Sequence, residues 1–206
     1  MIMIIDYGVG NLQNLKNALD YQNLPNEVVT DPARLKEATH VMLPGVGAFR
    51  PAMEHLRDSG MIPAIMAHVE AGRPFFGICV GMQLLFDESE EDGLTQGLGL
   101  IHGRVVRFNH SQKIPQIGWN QVQFQRSDPL LDGVENKEYF YFVHSYHAEL
   151  ADPKNGLGLT DYGVTFPAIV RRDNIWGAQF HPEKSQNAGL RLLANFAALT
   201  ETRSAA

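Results

Sequence analysis

Between Ile2 and Glu88, short apolar runs alternate with segments of helical spacing, and this alternation constrains the fold more than any other feature. Ile2 to Ile5 reads as a buried strand closed by Asp6-Tyr-Gly-Val-Gly10. Residues 11–21 read as a helix with Leu12, Leu15 and Leu19 at helical spacing. Residues 27–30 and 40–43 are further strands, the second ending in Pro44-Gly-Val-Gly47. A helix with Met53, Leu56 and Met61 near one face follows, then another over residues 62–71. Residues 75–78 form a fourth strand and residues 80–88 a helix. Strands separated by helices are the signature of a wrapped, mainly parallel sheet.

The pattern changes after about residue 100. Short alternating runs occupy residues 104–108, 120–124 and 138–143, then 168–170 and 175–180, with Arg172-Asp-Asn174 as a tight turn. A last helix over residues 189–200 carries Leu190, Leu193, Ala194 and Ala197 on one side. With no repeat, low-complexity tract or linker, the expectation is one α/β domain over residues 1–206 with an antiparallel second half.

Composition sets the outer limits. The 206 residues are 44% hydrophobic and 19% charged, as in an ordinary globular chain. A net charge of −6 argues against nucleic acid or an anionic membrane as partner. The single cysteine excludes an internal disulfide and a thiolate zinc cluster. The opening MIMIID enters an apolar run with no basic region or cleavage site, so it reads as a strand and not as a signal peptide. No run approaches a membrane span, and a cytoplasmic location is expected.

That one cysteine sits in Gly77-Ile-Cys79-Val-Gly81, between a strand and a helix. A nucleophile on a sharp strand-to-helix turn needs small neighbours, because the turn strains the backbone and brings other segments close. The helix N-terminus favours thiolate, and a free thiol is only a few per cent ionised near neutrality. An activating base is then required. Gln179-Phe-His-Pro-Glu-Lys184 offers His181 and Glu183, two residues apart and on one side of an extended backbone. Pro44-Gly-Val-Gly47 supplies candidate oxyanion donors at Val46 or Gly47, with the Val80 N–H as the second. Gly45-Val-Gly47-Ala-Phe-Arg50 and Gly8-Val-Gly10-Asn-Leu-Gln13 both lack the third glycine of a dinucleotide loop. His144 and His147 are three apart, on opposite sides of a strand, without further clustered ligands, so no metal is expected. The remaining histidines have no partner pattern and are expected mostly at the surface.

The elbow cysteine, the upstream Pro-Gly-x-Gly strand end and the downstream His-Pro-Glu together resemble the class I, triad-type glutamine amidotransferases. The resemblance implies a three-layer α/β fold, flavodoxin-like, with a mainly parallel central sheet, flanking helices and a smaller antiparallel sheet in the second half. It implies a Cys79–His181–Glu183 triad that hydrolyses L-glutamine to glutamate and ammonia, without a cofactor. Gln83 in Gly81-Met-Gln83 then helps hold the glutamine, beside Gly45 and the His144-Ser145-Tyr146 backbone. Asp6-Tyr-Gly-Val-Gly-Asn-Leu12, Ile117-Gly-Trp-Asn120, Tyr139-Phe-Tyr-Phe-Val-His-Ser-Tyr146 and Phe180-His-Pro-Glu-Lys-Ser185 narrow it to glutaminase subunits of histidine biosynthesis. In that group the partner is a (β/α)8-barrel cyclase that consumes the ammonia in a heterodimer. Asn11, Asn14, Trp119, Asn120, Tyr141 and Lys184 fall in motifs that face it.

The residues leave alternatives open. Four consecutive aromatics, Tyr139 to Phe142, suit either a strand buried on both faces or one whose alternate members turn outward as an interface. Another cysteine hydrolase on the same scaffold, or a non-catalytic module, also fits the fold, although a module would be expected to lack a triad member.

Overall fold

The computed structural model describes residues 1–201. Strands β1 (Ile2–Ile5), β2 (Asn26–Val29), β3 (His40–Gly45) and β4 (Phe75–Cys79) are interleaved with α1 (Leu12–Tyr21), α2 (Phe49–Asp58) and α3 (Met61–Glu70). A single turn, α4 (Val80–Gln83), follows β4. Then come β5 (Glu88–Ser89), β6 (Thr95–Gln96), β7 (Gly103–Arg107), β8 (Gln116–Phe124) and β9 (Glu138–His144). After these lie β10 (Tyr146–Leu150), β11 (Gly156–Asp161), β12 (Thr165–Arg172), β13 (Ile175–Ala178) and helix α5 (Gln186–Ala198).

A nine-stranded sheet runs in the order β2-β1-β3-β4-β13-β12-β11-β8-β9. The first five strands are parallel neighbours, and from β13 onward every pairing is antiparallel. The smaller sheet has the order β10-β7-β5-β6. The expected wrapped sheet and its small companion are therefore both present, but the companion is mixed and not purely antiparallel, because β5 pairs with β7 in parallel. The alternating runs are shared out in a way the pattern did not reveal. Most of them extend the large sheet, while the small sheet joins β7 to three strands that were not singled out. Two of those are only two residues long, and β10 is separated from β9 by Ser145 alone.

Parallel strands β1 and β4 are buried along their whole length, which is why they read as unbroken apolar runs. Phe76 packs on Phe196 of α5 at 5.2 Å, and His40 meets the same ring edge-on at 5.4 Å. Helix α5 buries Gly189, Leu192, Leu193 and Phe196, so its inward stripe is turned from the expected Leu190, Ala194 and Ala197. Met61 opens α3 and does not belong to α2, because Gly60 takes a left-handed conformation (φ +70°) that ends the earlier helix. His40 and His68 are buried, not at the surface. Each gives a ring nitrogen to a backbone carbonyl, Leu199 O at 2.9 Å and Pro74 O at 3.0 Å. Burial lowers both, His68 to about 4, so they are neutral core residues.

Candidate active site

The glycines around Cys79 are dictated by close backbone approach. A Cβ on Gly81 would lie 1.8 Å from Leu43 O, and one on Gly77 would lie 2.6 Å from Gly81 O. Cys79 itself has φ +55° and ψ −115°, a conformation that costs a non-glycine residue about 1–3 kcal/mol. That strain turns the chain sharply from β4 into α4 with the thiol at the bend. The following helix is one turn and not the expected 80–88, so little macrodipole stands behind the thiol and only the first-turn N–H groups remain. Strand β3 ends in register with the elbow, Gly45 opposite Cys79. Here too only glycine fits, since a Cβ on Gly45 would meet Gly81 N at 2.7 Å and Tyr7 Oη at 2.8 Å. Gly47 has φ +90° and open space beside it.

His181 and Glu183 come from the segment after β13. His181 is extended, but residues Pro182–Lys184 form a 3-10 turn, and this turn, not the expected extended chain, brings the side chains together. Nδ1 of His181 lies 2.9 Å from Oε1 of Glu183, both side chains being almost fully buried. The turn is pinned to β9. The His181 N–H donates to Tyr141 O at 3.0 Å, and Ser185 Oγ accepts from Tyr141 N at 3.0 Å and donates to His181 O at 2.6 Å. Burial alone would lower the His181 imidazole. Its hydrogen bonds to Cys79 and Glu183 and their charges outweigh burial and push it up to about 10. The cation is therefore the favoured form at neutral pH.

These groups open on a cleft of about 850 Å³ lined by Cys79, Val80, Gln83, Val46, Gly47, His144, Ser145, Tyr146 and His181. Gly45 stands behind it. Gln83 Nε2 donates to Tyr146 O at 3.1 Å and to Gln179 Oε1 at 3.0 Å. Tyr146 O also faces His144 Nδ1 at 2.7 Å, and a carbonyl only accepts, so that nitrogen carries the hydrogen. Burial lowers His144 to about 4, leaving it neutral. His144 and His147 do not point apart as a continuous strand would require. The chain changes sheets at Ser145, and both rings pack against Phe108 and Phe166. Among the described residues no group of three or more His, Cys, Asp or Glu stands close enough to hold a metal ion.

Two groups at or behind the cleft carried no signal in the sequence. Glu91 lines the cleft, half-buried, and accepts from the Phe49 N–H at 2.7 Å, with burial raising its carboxyl above the usual range. It lay in the acidic run Glu88-Ser-Glu-Glu-Asp92, which carries no spacing signal. Gln179, next to Phe180-His181, is fully buried, with Nε2 3.9 Å from Cys79 Sγ.

The strand of four aromatics settles as alternating: Phe140 and Phe142 are fully buried, while Tyr139 is 50% exposed and Tyr141 half-buried. Across the β8–β9 register Trp119 faces Tyr141, ring centroids 6.0 Å apart, and Lys184 Nζ sits 5.9 Å from the Tyr141 ring. Asn120 points to the other face, its amide donating to Asp161 O at 2.8 Å, so it does not join that cluster. Asn11 lines the cleft mouth and caps α1 by accepting from Asn14 N at 3.4 Å.

A nucleophile at a strained strand end, a buried His–Glu pair and an adjacent glycine-rich strand end define a triad-type hydrolase scaffold. The chain matches the family model for glutamine amidotransferase class-I over residues 3–199, and it belongs to that family. Among similar proteins is the imidazole glycerol phosphate synthase subunit HisH of Desulfitobacterium hafniense (strain DSM 10664 / DCB-2). It is 50% identical over 196 residues, covering 95% of this chain and 93% of the relative. The protein of the same name from Herpetosiphon aurantiacus is 51% identical over 203 residues, covering 98% and 96%. Of solved structures, PurLQS from Thermotoga maritima superposes with a TM-score of 0.78 at 18% identity, covering 96% of this chain and 97% of that one. A structure described as glutamine amidotransferase gives 0.76 at 20% identity, covering 97% and 100%. At such identities these two likenesses bear on the fold alone.

Proposed function

We propose that this chain is the glutaminase subunit of an imidazole glycerol phosphate synthase, hydrolysing L-glutamine and delivering ammonia to a (β/α)8-barrel cyclase in histidine biosynthesis. The observation that carries the chemistry is the strained Cys79 elbow facing a buried His181–Glu183 pair. The narrower assignment to histidine biosynthesis rests on relatives about half identical over nearly the whole chain.

With its proton already on His181, Cys79 attacks as the thiolate on the carboxamide carbon of glutamine. The N–H groups of Val80 and of Val46 or Gly47 receive the developing oxyanion, each donor contributing about 3 kcal/mol. As the C–N bond breaks, the His181 cation passes its proton to the departing ammonia, and Glu183 holds the ring in one tautomer. Neutral His181 then takes a proton from water, which attacks the thioester; collapse releases glutamate and the thiolate beside the restored His181 cation. Glu91 is a carboxylate placed to meet the α-ammonium of glutamine, and Gln83 and the 144–146 backbone line the remainder of the cleft. Gly47 at φ +90° gives the 46–47 peptide freedom to turn its N–H in or out, so partner docking can switch the oxyanion site on.

The outward side chains of β8 and β9, Ile117, Trp119, Tyr139 and Tyr141, together with Lys184, form the docking face for the cyclase. Asn11, which lines the cleft, and the exposed Asn14 of α1 extend it; Asn120 turns to the other face of β8. The test is glutamate release from glutamine by the chain alone, with the cyclase and its ligand, and with Cys79→Ala. Low activity alone, a large rise in the complex and none in the variant is the expected result. No glutamine turnover in any arm overturns the glutaminase reading, and turnover independent of the cyclase removes the gating.

A further inference from the structure

Gln179 stands between the nucleophile and the substrate side of the cleft, and the direction of every hydrogen bond through it is fixed. Its backbone N–H donates to Ala168 O at 2.8 Å, which sets the residue at the end of β13. A primary amide offers one two-hydrogen nitrogen and one oxygen. The nitrogen of Gln83 faces two acceptors, Tyr146 O at 3.1 Å and the Gln179 amide at 3.0 Å. Tyr146 O can only accept, so Gln83 must donate there and on to Gln179. Gln179 therefore presents its oxygen to Gln83, and its own nitrogen is left for Cys79 Sγ, 3.9 Å away.

The neutral thiol has another partner, Val143 O, to which it donates at 4.0 Å. That carbonyl favours the thiol, whereas an N–H aimed at sulfur favours the thiolate. We propose that Gln179 is a positioning residue for amide hydrolysis, holding the Cys79 thiolate with its nitrogen while its oxygen fixes the Gln83 side chain beside the substrate. It thereby links the state of the nucleophile to the seating of glutamine. This rests on the glutaminase reading for its second half only. The titratable groups around Cys79 are His181 and Tyr7, with Glu183 behind His181 and Glu91 lining the same cleft. None of them is altered by substitution at Gln179.

The experiment follows carboxamidomethylation of Cys79 by iodoacetamide against pH in the full chain, which needs no glutamine turnover, and then kcat and KM for glutamine in the complex. Gln179→Met keeps the length and removes both polar atoms. It is expected to slow alkylation near pH 7 roughly tenfold or more, shift the profile to higher pH and raise KM. Gln179→Glu keeps an acceptor for Gln83 but replaces the donor, so alkylation slows while KM stays near the native value. If Gln179→Met fails to fold, by circular dichroism and thermal melting, Gln179→Glu decides alone. A folded variant with the native alkylation profile overturns the proposal. A chain whose Gln179 variants shift the profile but which never hydrolyses glutamine loses the glutaminase reading and keeps the thiolate role of Gln179.

Discussion

The five parallel strands and the antiparallel extension of the large sheet treat their two faces differently. β1 and β4 are buried on both sides, and the turn from β4 into α4 is packed so tightly that glycine alone fits at positions 77 and 81. β8 and β9 bury one side chain and expose the next, leaving Ile117, Trp119 and Tyr139 in solvent. The parallel half supplies rigidity, and the strained elbow is sited there because its close-packed surroundings can hold a residue at φ +55°. The antiparallel edge supplies surface. β13, parallel to β4 and antiparallel to β12, joins the two, and the segment after it carries His181 and Glu183 to the cleft.

Substitutions can break or sharpen that contrast, and the largest effect is expected in the parallel half. Gly81→Ala drives a methyl into Leu43 O and should cost more than about 4 kcal/mol, read as loss of a cooperative melt or of soluble protein. In the antiparallel half Phe142→Ala, on the buried face of β9, should cost about 3–5 kcal/mol by denaturant titration. An unchanged midpoint would mean that β9 is not part of the core. Glu183→Gln probes the join. His181 is raised in the folded chain, so its stabilisation is complete below its ordinary value of about 6.5 and is lost as pH rises through about 10. Without the carboxylate that loss still begins near 6.5 but should be smaller and be complete at lower pH, and kcat should fall about 10²–10⁴-fold, measured by melting and by glutamate release across pH. Gly118→Ala, in open space on β8 at φ +130°, carries only the conformational cost, about 1–3 kcal/mol. Smallest of all, Trp119→Ala should alter stability by less than about 0.5 kcal/mol while weakening activation by the cyclase. An equal loss of stability from Trp119→Ala and Phe142→Ala would erase the distinction between the faces.

Legibility followed the same divide. The parallel strands were readable because an unbroken apolar run of four or five residues has few other places to go. Cys79, His181 and Glu183 were readable because glycines and proline mark the turns that hold them. The alternating runs located the strands, but they left open whether Tyr139 to Phe142 is buried on both faces and did not show to which sheet each strand belongs. Pairing is decided by backbone hydrogen bonds between distant segments, and β5 and β6 are too short to carry a pattern at all.

The sequence by itself determined the wrapped α/β half and the elbow, and it singled out Cys79, His181 and Glu183 as the candidate triad, since each depends on local backbone needs that particular residue types meet. Only the tertiary structure decided that His144 and His147 fill one aromatic cluster, that Asn120 turns from Trp119, that Glu91 lines the cleft and that Gln179 lies buried between Gln83 and Cys79. Those outcomes depend on where the chain changes sheets and on which buried amide meets which acceptor. Both are fixed by packing between segments far apart in the chain.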